Sequence, residues 1–160
     1  MLFRSELLAG AEKMTESVAR YRGDSAGTRG LGFLIQEYVR GGREVIVGMT
    51  HDPKFGPLVM FGLGGIYVET VRDVVFRVPP LTDLEAEEMI RQIRGFSLLR
   101  GVRGEAPVDF KALAEILQRF SQLAEDLLEI AEIEINPLMV FPQAEEFRAV
   151  DARVRLSEVR

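Results

Sequence analysis

The sequence predicts an α/β protein, an α+β sandwich in which helices pack on a largely antiparallel sheet. Segments with a period of two alternate with segments in which apolar residues recur every three to four positions. Glycines and prolines separate these segments, as turns require. A chain of 160 residues, 47% hydrophobic and 28% charged, is long enough to bury one core.

The first elements are a helix over about Ser5–Tyr21, a glycine-containing loop, and two strands, Gly32–Val39 and Arg43–Thr50. The glycines between the two strands suit a tight connection. We therefore expect an N-terminal helix and loop over residues 1–30 and the main domain over residues 31–160.

Two more strands and two helices follow. The strands are Leu58–Gly62 and Asp73–Val78, and the second ends at a pair of prolines. Thr82 and Glu85 have the spacing of a capping box, which predicts a helix from about Asp83. A longer helix with apolar residues at positions i, i+3, i+4 and i+7 follows from about residue 109.

The chain closes with a predicted hairpin of two strands, Glu132–Val140 and Phe147–Leu156. Its first strand contains Asn136 and Pro137, although proline cannot donate to a strand ladder and asparagine is a poor strand former. With the turn midway between the strands, Asn136 falls directly opposite Asp151. Opposed residues have Cβ atoms roughly 4.5–5.5 Å apart, so two oxygen ligands could share one small cation.

Magnesium takes one or two carboxylates, accepts amide oxygens, and leaves the rest of its shell to water and phosphates. Asn136, Asp151 and Glu134 fit that description, since alternation places Glu134 on the same face as Asn136. The open alternative is a solvated ladder, in which Glu132 and Glu134 face arginines of the partner strand and Asn136 lies at a bulge.

The composition argues against several partners and compartments. A net charge of −5 gives no basic footprint for nucleic acid. No apolar run is long enough for a membrane span, and the N-terminus, with Glu6 inside its apolar part, lacks the apolar region of a signal peptide, so cytoplasmic is the expected location. The absence of cysteine excludes disulfides and thiolate metal sites.

Four motifs in order, "GFLIQEYVRGGREVIVGMTHDPKFGPLVMFGLGGIYVE", "LLRGVRG", "EIEINPLMV" and "VDARV", carry a family resemblance. The chain resembles the carboxyl-terminal part of the ATP-grasp domain of nucleotide-diphosphate-forming acyl-CoA synthetases. "EINPL" followed by "DAR" is also similar to the β-subunit of succinyl-CoA synthetase. The resemblance implies an ATP-grasp-like half-domain that binds ATP with Mg²⁺, in an enzyme that passes the γ-phosphate through a phosphohistidine to an acyl phosphate.

By resemblance, several residues acquire roles. Glu44 lies where such enzymes hold the ribose hydroxyls, Glu69 is an acid near the phosphates, and Asn136 and Asp151 fall on the metal positions. The hinge, whose main chain would meet the adenine edge, is Gln36, Glu37, Tyr38 and Val39.

Each of these assignments has a structural alternative. The hinge could be an ordinary strand end, and Glu44 could form a salt bridge. Gly62, Gly64 and Gly65 permit close backbone approach to phosphates but match no standard phosphate-binding spacing, so tight packing at a strand end is the alternative.

The single histidine, His51, is predicted to be a surface turn residue and not the phosphorylated one, which the resemblance puts in the CoA-binding half of the enzyme. Arg100 and Arg103 either approach an anion or belong to a solvated loop. No residue is predicted to be catalytic.

The sequence departs from the family in lacking the preceding subdomain, whose lysines clamp the phosphates, and the CoA-binding domains. We expect the chain to be part of an ADP-forming acid–CoA ligase, inactive alone and completed by another chain or an excised region. An exposed apolar patch would favour a homo-oligomer. The alternative is a non-catalytic or regulatory module, for example attached to an acetyltransferase.

Overall fold

The computed structural model describes residues 4–22, 32–65, 73–102, 104–142 and 146–157. The chain divides into two compact units, Met1–Tyr38 and Val39–Arg160. Among the described residues, no helix combines the length and the apolar character that a bilayer crossing requires.

The first unit contains helix α1 (Arg4–Arg22), which confirms the predicted N-terminal helix. The predicted strand over Gly32–Val39 is wrong: residues 32–40 form no strand. A strand needs a neighbour to accept and donate its backbone hydrogen bonds, and no described residue provides that ladder here. The apolar sequence alone therefore does not make a strand.

The second unit contains six strands and three helices within the described residues. They are β1 (Arg43–Asp52), β2 (Gly56–Leu63), β3 (Val74–Arg77), α2 (Asp83–Gln92), α3 (Phe96–Leu99), α4 (Phe110–Asp126), β4 (Ile130–Val140), β5 (Arg148–Ala149) and β6 (Ala152–Leu156).

The strands form one antiparallel sheet in the order β3-β2-β1-β4, and both β5 and β6 pair with the far side of β4. Because every described pairing is antiparallel and helices pack on the sheet, the predicted fold class is confirmed.

One face of the sheet carries the core. Strand β1 contributes Val45, Val47 and Met49, and helix α4 packs against that face with buried Leu113 and Leu117. Each fully buried aliphatic side chain stabilises the fold by roughly 1.5–3 kcal/mol. We call this the covered face and the opposite one, which carries the alternate residues of each strand, the open face.

The helix starts follow the sequence closely. The hydroxyl of Thr82 accepts a hydrogen bond from the Glu85 amide, and the Glu85 carboxylate accepts one from the Thr82 amide, so the predicted capping box is confirmed. Asp109 caps α4 by accepting from the Ala112 amide at 3.0 Å.

A buried carboxylate ties the edge of the sheet to the helical layer. Asp73, only 6% exposed, precedes β3, and each of its oxygens accepts a backbone hydrogen bond of 2.7 Å, one from Arg94 and one from Gly95. These donors belong to the turn between α2 and α3, so one side chain fixes the turn against the strand.

We expect Asp73→Asn to lower the free energy of unfolding by about 2 kcal/mol, because an amide can accept from only one of the two donors and leaves the other unsatisfied. Urea denaturation measures the loss. The matched control is Glu87→Gln, which removes a surface pair with Arg91 and costs about 0.5 kcal/mol or less. Equal losses in the two variants would contradict this role of Asp73.

The capping box also makes a pH-dependent contribution. Hydrogen bonds from the Thr82 amide and then its hydroxyl lower the pKa of Glu85 below its ordinary value. The cap therefore stabilises α2 fully above the ordinary carboxyl pKa and loses this contribution as the pH falls through the lowered folded pKa.

An NMR titration of the Glu85 carboxyl checks this effect. In Thr82→Ala the pKa of Glu85 rises towards its ordinary value, whereas Thr82→Ser, which keeps the hydroxyl, retains the lowered pKa. A pKa of Glu85 that is identical in all three proteins would refute the contribution of the hydroxyl and leave the Thr82 amide as the cause.

Candidate functional site

The closing strands pair in the register that the sequence predicts. Glu134 lies opposite Arg153, and Ile135 lies opposite Ala152. The Asn136 amide donates to the Asp151 carbonyl at 3.1 Å, so these two residues are also opposed. The predicted register is confirmed, and alternation places both side chains towards the open face.

A bulge explains the asparagine and proline in β4. Val45 pairs with Leu138 and Val47 pairs with Ile135, so one residue of β1 faces two residues of β4, Asn136 and Pro137. The peptide bond between those two residues is cis. Pro137 has no amide hydrogen to donate, and a bulge is one of the few sheet positions that tolerate this.

The bulge brings the Asn136 side chain to the end of β2. Its Oδ1 atom accepts a hydrogen bond of 3.2 Å from the Gly65 amide. Gly64 in turn donates to the Glu44 carbonyl at 2.8 Å. Two strands and the segment after β2 thus meet at one point.

Glu44 completes this convergence. Gly65 has a φ of +59°, and a Cβ added to it would overlap the Glu44 Oε2 atom, so the carboxylate lies directly against the glycine backbone. We call Glu44, Gly65, Asn136 and Asp151 the strand-end site. Each member touches the next through a backbone or side-chain contact: Glu44 to Gly65, Gly65 to Asn136, and Asn136 to Asp151.

The salt-bridge alternative for Glu44 does not occur within the described residues, where its carboxylate has no ion pair. The neighbouring Arg43 instead donates to Glu105 and to the Ala106 carbonyl, both at 3.1 Å. The Glu44 carboxylate is exposed and therefore available to a ligand.

A cleft of about 410 Å³ adjoins Glu44. Its polar rim includes Glu44 and Glu105, and its apolar wall includes Leu63, Leu98 and Val102. No local pattern in the sequence indicates this cleft, because its walls come from segments that are distant along the chain: the start of β1, the end of β2, α3 and the loop that follows α3.

The alternative to a metal site was a ladder of two acid–arginine pairs on the open face, and one of the two pairs forms. Arg155 donates two hydrogen bonds to Glu132, at 3.1 and 3.0 Å, whereas Glu134 and Arg153 form no ion pair in the described chain. Glu134 lines a small depression with Thr50 and residues of β2 and β3. Its assignment as a metal ligand stays a prediction.

Among the described residues, no three histidine, aspartate or glutamate side chains cluster as a metal site would require. The predicted metal ligands within the strand-end site are one amide oxygen, of Asn136, and one exposed carboxylate, of Asp151. Two oxygen ligands are too few for a metal cage made by protein alone, but they suit Mg²⁺ that takes its other ligands from water and a polyphosphate.

The other residues predicted to contact the nucleotide, the hinge over residues 36–39 and Glu69, lie outside the strand-end site. Gln36, Glu37 and Tyr38 are exposed, Val39 is half-buried, and the boundary between the two units lies between Tyr38 and Val39. Glu69 lies outside the described residues.

The glycines after β2 were predicted either to allow close approach of phosphates or to pack tightly at a strand end, and they differ in their roles. A Cβ on Gly62 would collide with the Asp73 carbonyl and Val74, so Gly62 serves strand packing, as the alternative held. Gly65 belongs to the strand-end site. In the sequence, Gly65 is marked only by the glycine doublet Gly64–Gly65. No pattern in the sequence predicts its contact with Asn136.

His51 is exposed, as predicted, but it lies at the end of β1 opposite Pro57 and not in the turn, which residues 53–55 form. Arg100 is exposed at the end of α3, and Arg103 lies outside the described residues.

The comparisons with known proteins point one way. The ATP-grasp domain family matches residues 3–156. Acetate–CoA ligase [ADP-forming] I subunit beta of Pyrococcus furiosus is 53% identical over 125 residues, which are 78% of this chain and 53% of the relative. Acetate–CoA ligase [ADP-forming] I of Archaeoglobus fulgidus is 48% identical over 79% of this chain and 18% of the relative.

A solved structure agrees. The dinucleotide forming acetyl-coenzyme A synthetase 1 of Ca. Korarchaeum cryptofilum, in complex with coenzyme A and Mg-AMPPCP, superposes with a TM-score of 0.72. It is 45% identical, and the match covers 76% of this chain and 56% of that one. This chain therefore spans about half, or less, of the length of these proteins.

We expect Gly65→Ala to disturb the strand-end site beyond its backbone cost. Gly56→Ala is the matched control, because Gly56 has a φ of +76° with nothing within 4 Å of an added Cβ. Both variants should lose about 1 kcal/mol of unfolding free energy from the left-handed backbone. Only Gly65→Ala also has to displace the Glu44 carboxylate.

Denaturation gives the stabilities, and the ¹³C chemical shift of the Glu44 carboxyl reports the displacement. A Glu44 shift that moves in Gly65→Ala and stays in place in Gly56→Ala supports the site. No movement in either variant would contradict the close contact.

Proposed function

Because this chain belongs to the ATP-grasp family, we propose that it is the ATP- and Mg²⁺-binding part of an ADP-forming acid–CoA ligase. Such an enzyme converts an acid, coenzyme A and ATP into acyl-CoA, ADP and phosphate. The relatives named as acetate–CoA ligases support this reaction class.

The observation that carries the proposal is the convergence of the strand-end site at one end of the open face. Asn136 and Asp151 offer an amide and a carboxylate oxygen across one strand pair. They would hold Mg²⁺, which when bound neutralises charge on a nucleotide's polyphosphate. Glu134, two residues before Asn136 on the same face, would add a further oxygen.

Glu44 supplies the second contact of the proposal. An exposed carboxylate without a basic partner in the described chain can accept hydrogen bonds from two neighbouring hydroxyl groups, which is what a ribose presents. The Gly65 backbone allows the nucleotide to approach Glu44 and Asn136 closely, since no side chain projects from that position.

The adenine edge would meet the main chain of Gln36, Glu37, Tyr38 and Val39. Main-chain recognition needs accessible backbone groups, and Gln36, Glu37 and Tyr38 are exposed. Glu69 completes the proposal as an acid near the phosphates.

The chain supplies few lysines for the phosphates, and its other cationic side chains are arginines. Lysine occurs only at Lys13, Lys54 and Lys111. Phosphoryl transfer depends on positioning and charge neutralisation, so the part of the relatives that this chain does not match must supply the rest. Alone, the chain should bind ATP weakly and show no ligase turnover.

Titration calorimetry with Mg·ATP tests the function, on the chain alone and with the unmatched remainder of the P. furiosus β subunit supplied as a second polypeptide. With that remainder present, Asp151→Asn should weaken binding on the order of tenfold, about 1.4 kcal/mol, because a metal-binding charge is lost. In EDTA the difference should disappear.

Glu132→Gln is the matched control, since it removes one acid from the same strand pair together with its partner contact to Arg155. Its affinity should match that of the unaltered chain. The proposal fails if Mg·ATP binds neither to the chain alone nor to the chain with the remainder, or if both variants lose affinity equally. The alternative, a non-catalytic module, would then stand.

A further inference from the structure

The cleft beside Glu44 has two rims that come from distant parts of the chain. One rim is the start of β1, with Arg43 and Glu44, and the other is the loop that follows α3, with Val102 and Glu105. Arg43 and Glu105 are 62 positions apart in the sequence. The width of the cleft therefore depends on the contacts that hold the loop against the strand.

Arg43 joins the two rims. Its Nη2 atom donates to the Glu105 Oε2 atom and to the Ala106 carbonyl, both at 3.1 Å. The Arg43 side chain is only 16% exposed, so its charge has lost most of its hydration and needs these acceptors. Because the guanidinium is planar, its hydrogens point in fixed directions and hold both acceptors in one arrangement. We call Arg43, Glu105 and Ala106 the cleft brace.

The loop is folded so that Glu105 and the apolar part of the rim move together. The Val108 amide donates to the Leu99 carbonyl at 3.0 Å, which closes the base of the loop. The Glu105 amide donates to the Val102 carbonyl at 3.2 Å. Gly101 has a φ of +89°, and a Cβ added to it would overlap the Glu105 carbonyl. A displacement of Glu105 from β1 would therefore carry Val102 with it and widen the cleft.

Glu44 lies on the rim that the brace holds from the other side. Its backbone is fixed by the sheet, because it lies opposite Met139 and its carbonyl accepts from the Gly64 amide at 2.8 Å. Its side-chain torsions remain, and its carboxylate has no ion pair within the described residues. The direction of the carboxylate is therefore set by what it borders, the Gly65 backbone and the cleft.

We propose that Arg43 and Glu105 are positioning residues that keep the cleft at the width at which the Glu44 carboxylate receives the ribose hydroxyls of the nucleotide. The inference rests on the function proposed above and assigns neither residue a contact with ATP. The brace also compensates the charge of Glu105. Of the two acids on the rims, only Glu44 is then left without a basic partner in the described chain, facing an anionic nucleotide.

The alternative is an ion pair that stabilises the fold and does nothing else. The Glu105 side chain is 63% exposed, and ion pairs with an exposed partner contribute little to stability. A purely structural pair would weaken the binding of every nucleotide equally. A positioning pair instead affects the contact with the ribose hydroxyls, so the preference for a ribose over a deoxyribose distinguishes the two roles.

Titration calorimetry with Mg·ATP and with Mg·2′-deoxy-ATP measures this preference, on the chain supplied with the unmatched remainder of the P. furiosus β subunit. The unaltered protein should favour ATP on the order of tenfold, because the deoxy nucleotide loses a hydrogen bond to a charged acceptor. In Arg43→Gln and in Glu105→Ala the preference should fall to roughly threefold or less. Glu105→Ala alters an exposed side chain, so it tests the brace even if Arg43→Gln does not fold.

Arg91→Gln is the matched control, because it breaks an exposed ion pair with Glu87 on α2, away from the cleft. Its preference for ATP should equal that of the unaltered protein. Glu44→Ala is the reference for a lost ribose contact and should show the same low preference as the brace variants.

Two measurements on the same proteins need no nucleotide. In Glu105→Ala the ¹³C chemical shift of the Glu44 carboxyl should move. In Arg43→Gln hydrogen exchange at the Glu105 amide should speed up on the order of tenfold, because the loop is released from β1. Neither quantity should change in Arg91→Gln.

An unchanged preference for ATP in both brace variants would overturn the proposal and leave the proposed function standing. So would a Glu44 shift and a Glu105 exchange rate that match those of the unaltered protein. Binding of Mg·ATP to none of the proteins would instead count against the proposed function, and the two measurements without nucleotide would still decide whether the brace holds the loop and the Glu44 carboxylate.

Discussion

The antiparallel pairing of β4 with the closing strand is the constraint on which the candidate site depends. It fixes Asn136 against Asp151 through a backbone hydrogen bond, and the ion pair between Glu132 and Arg155 holds the same register farther along. A shift of one residue would turn one of the two oxygen ligands towards the helices. The function proposed for the chain therefore depends on register more than on any single side chain.

Much of the second unit could be predicted because its signals are local. The capping box at Thr82, the period of α4 and the Glu132–Arg155 pair of the closing strands all act between residues that are neighbours in a helix or a hairpin. The contact between Glu44 and Gly65 could not be predicted, because it depends on how β1 pairs with β2 and on where the chain goes after β2. The cleft beside Glu44 has the same origin in distant segments.

The error at Gly32–Val39 has a different cause. A short run of apolar and β-branched residues indicates that a segment would be stable as a strand if a sheet edge were available. It does not report whether the same chain contains that edge. Helix α1 of the first unit has no fully buried residue, whereas the second unit contains the hydrophobic core of the sheet and its helices.

The bulge at Asn136 and Pro137 has a consequence for how this sequence can vary. Ile133 and Ile135 pack against the core before it, and Leu138 and Val140 lie in the core after it, three positions on from Ile135 instead of two. The bulge absorbs the extra residue, so that Asn136 and Pro137 are accommodated while Leu138 and Val140 still face the core. Losing one of the two bulge residues would restore regular alternation and leave Leu138 and Val140 facing the core, but it would remove the bulge at which Asn136 reaches the Gly65 amide.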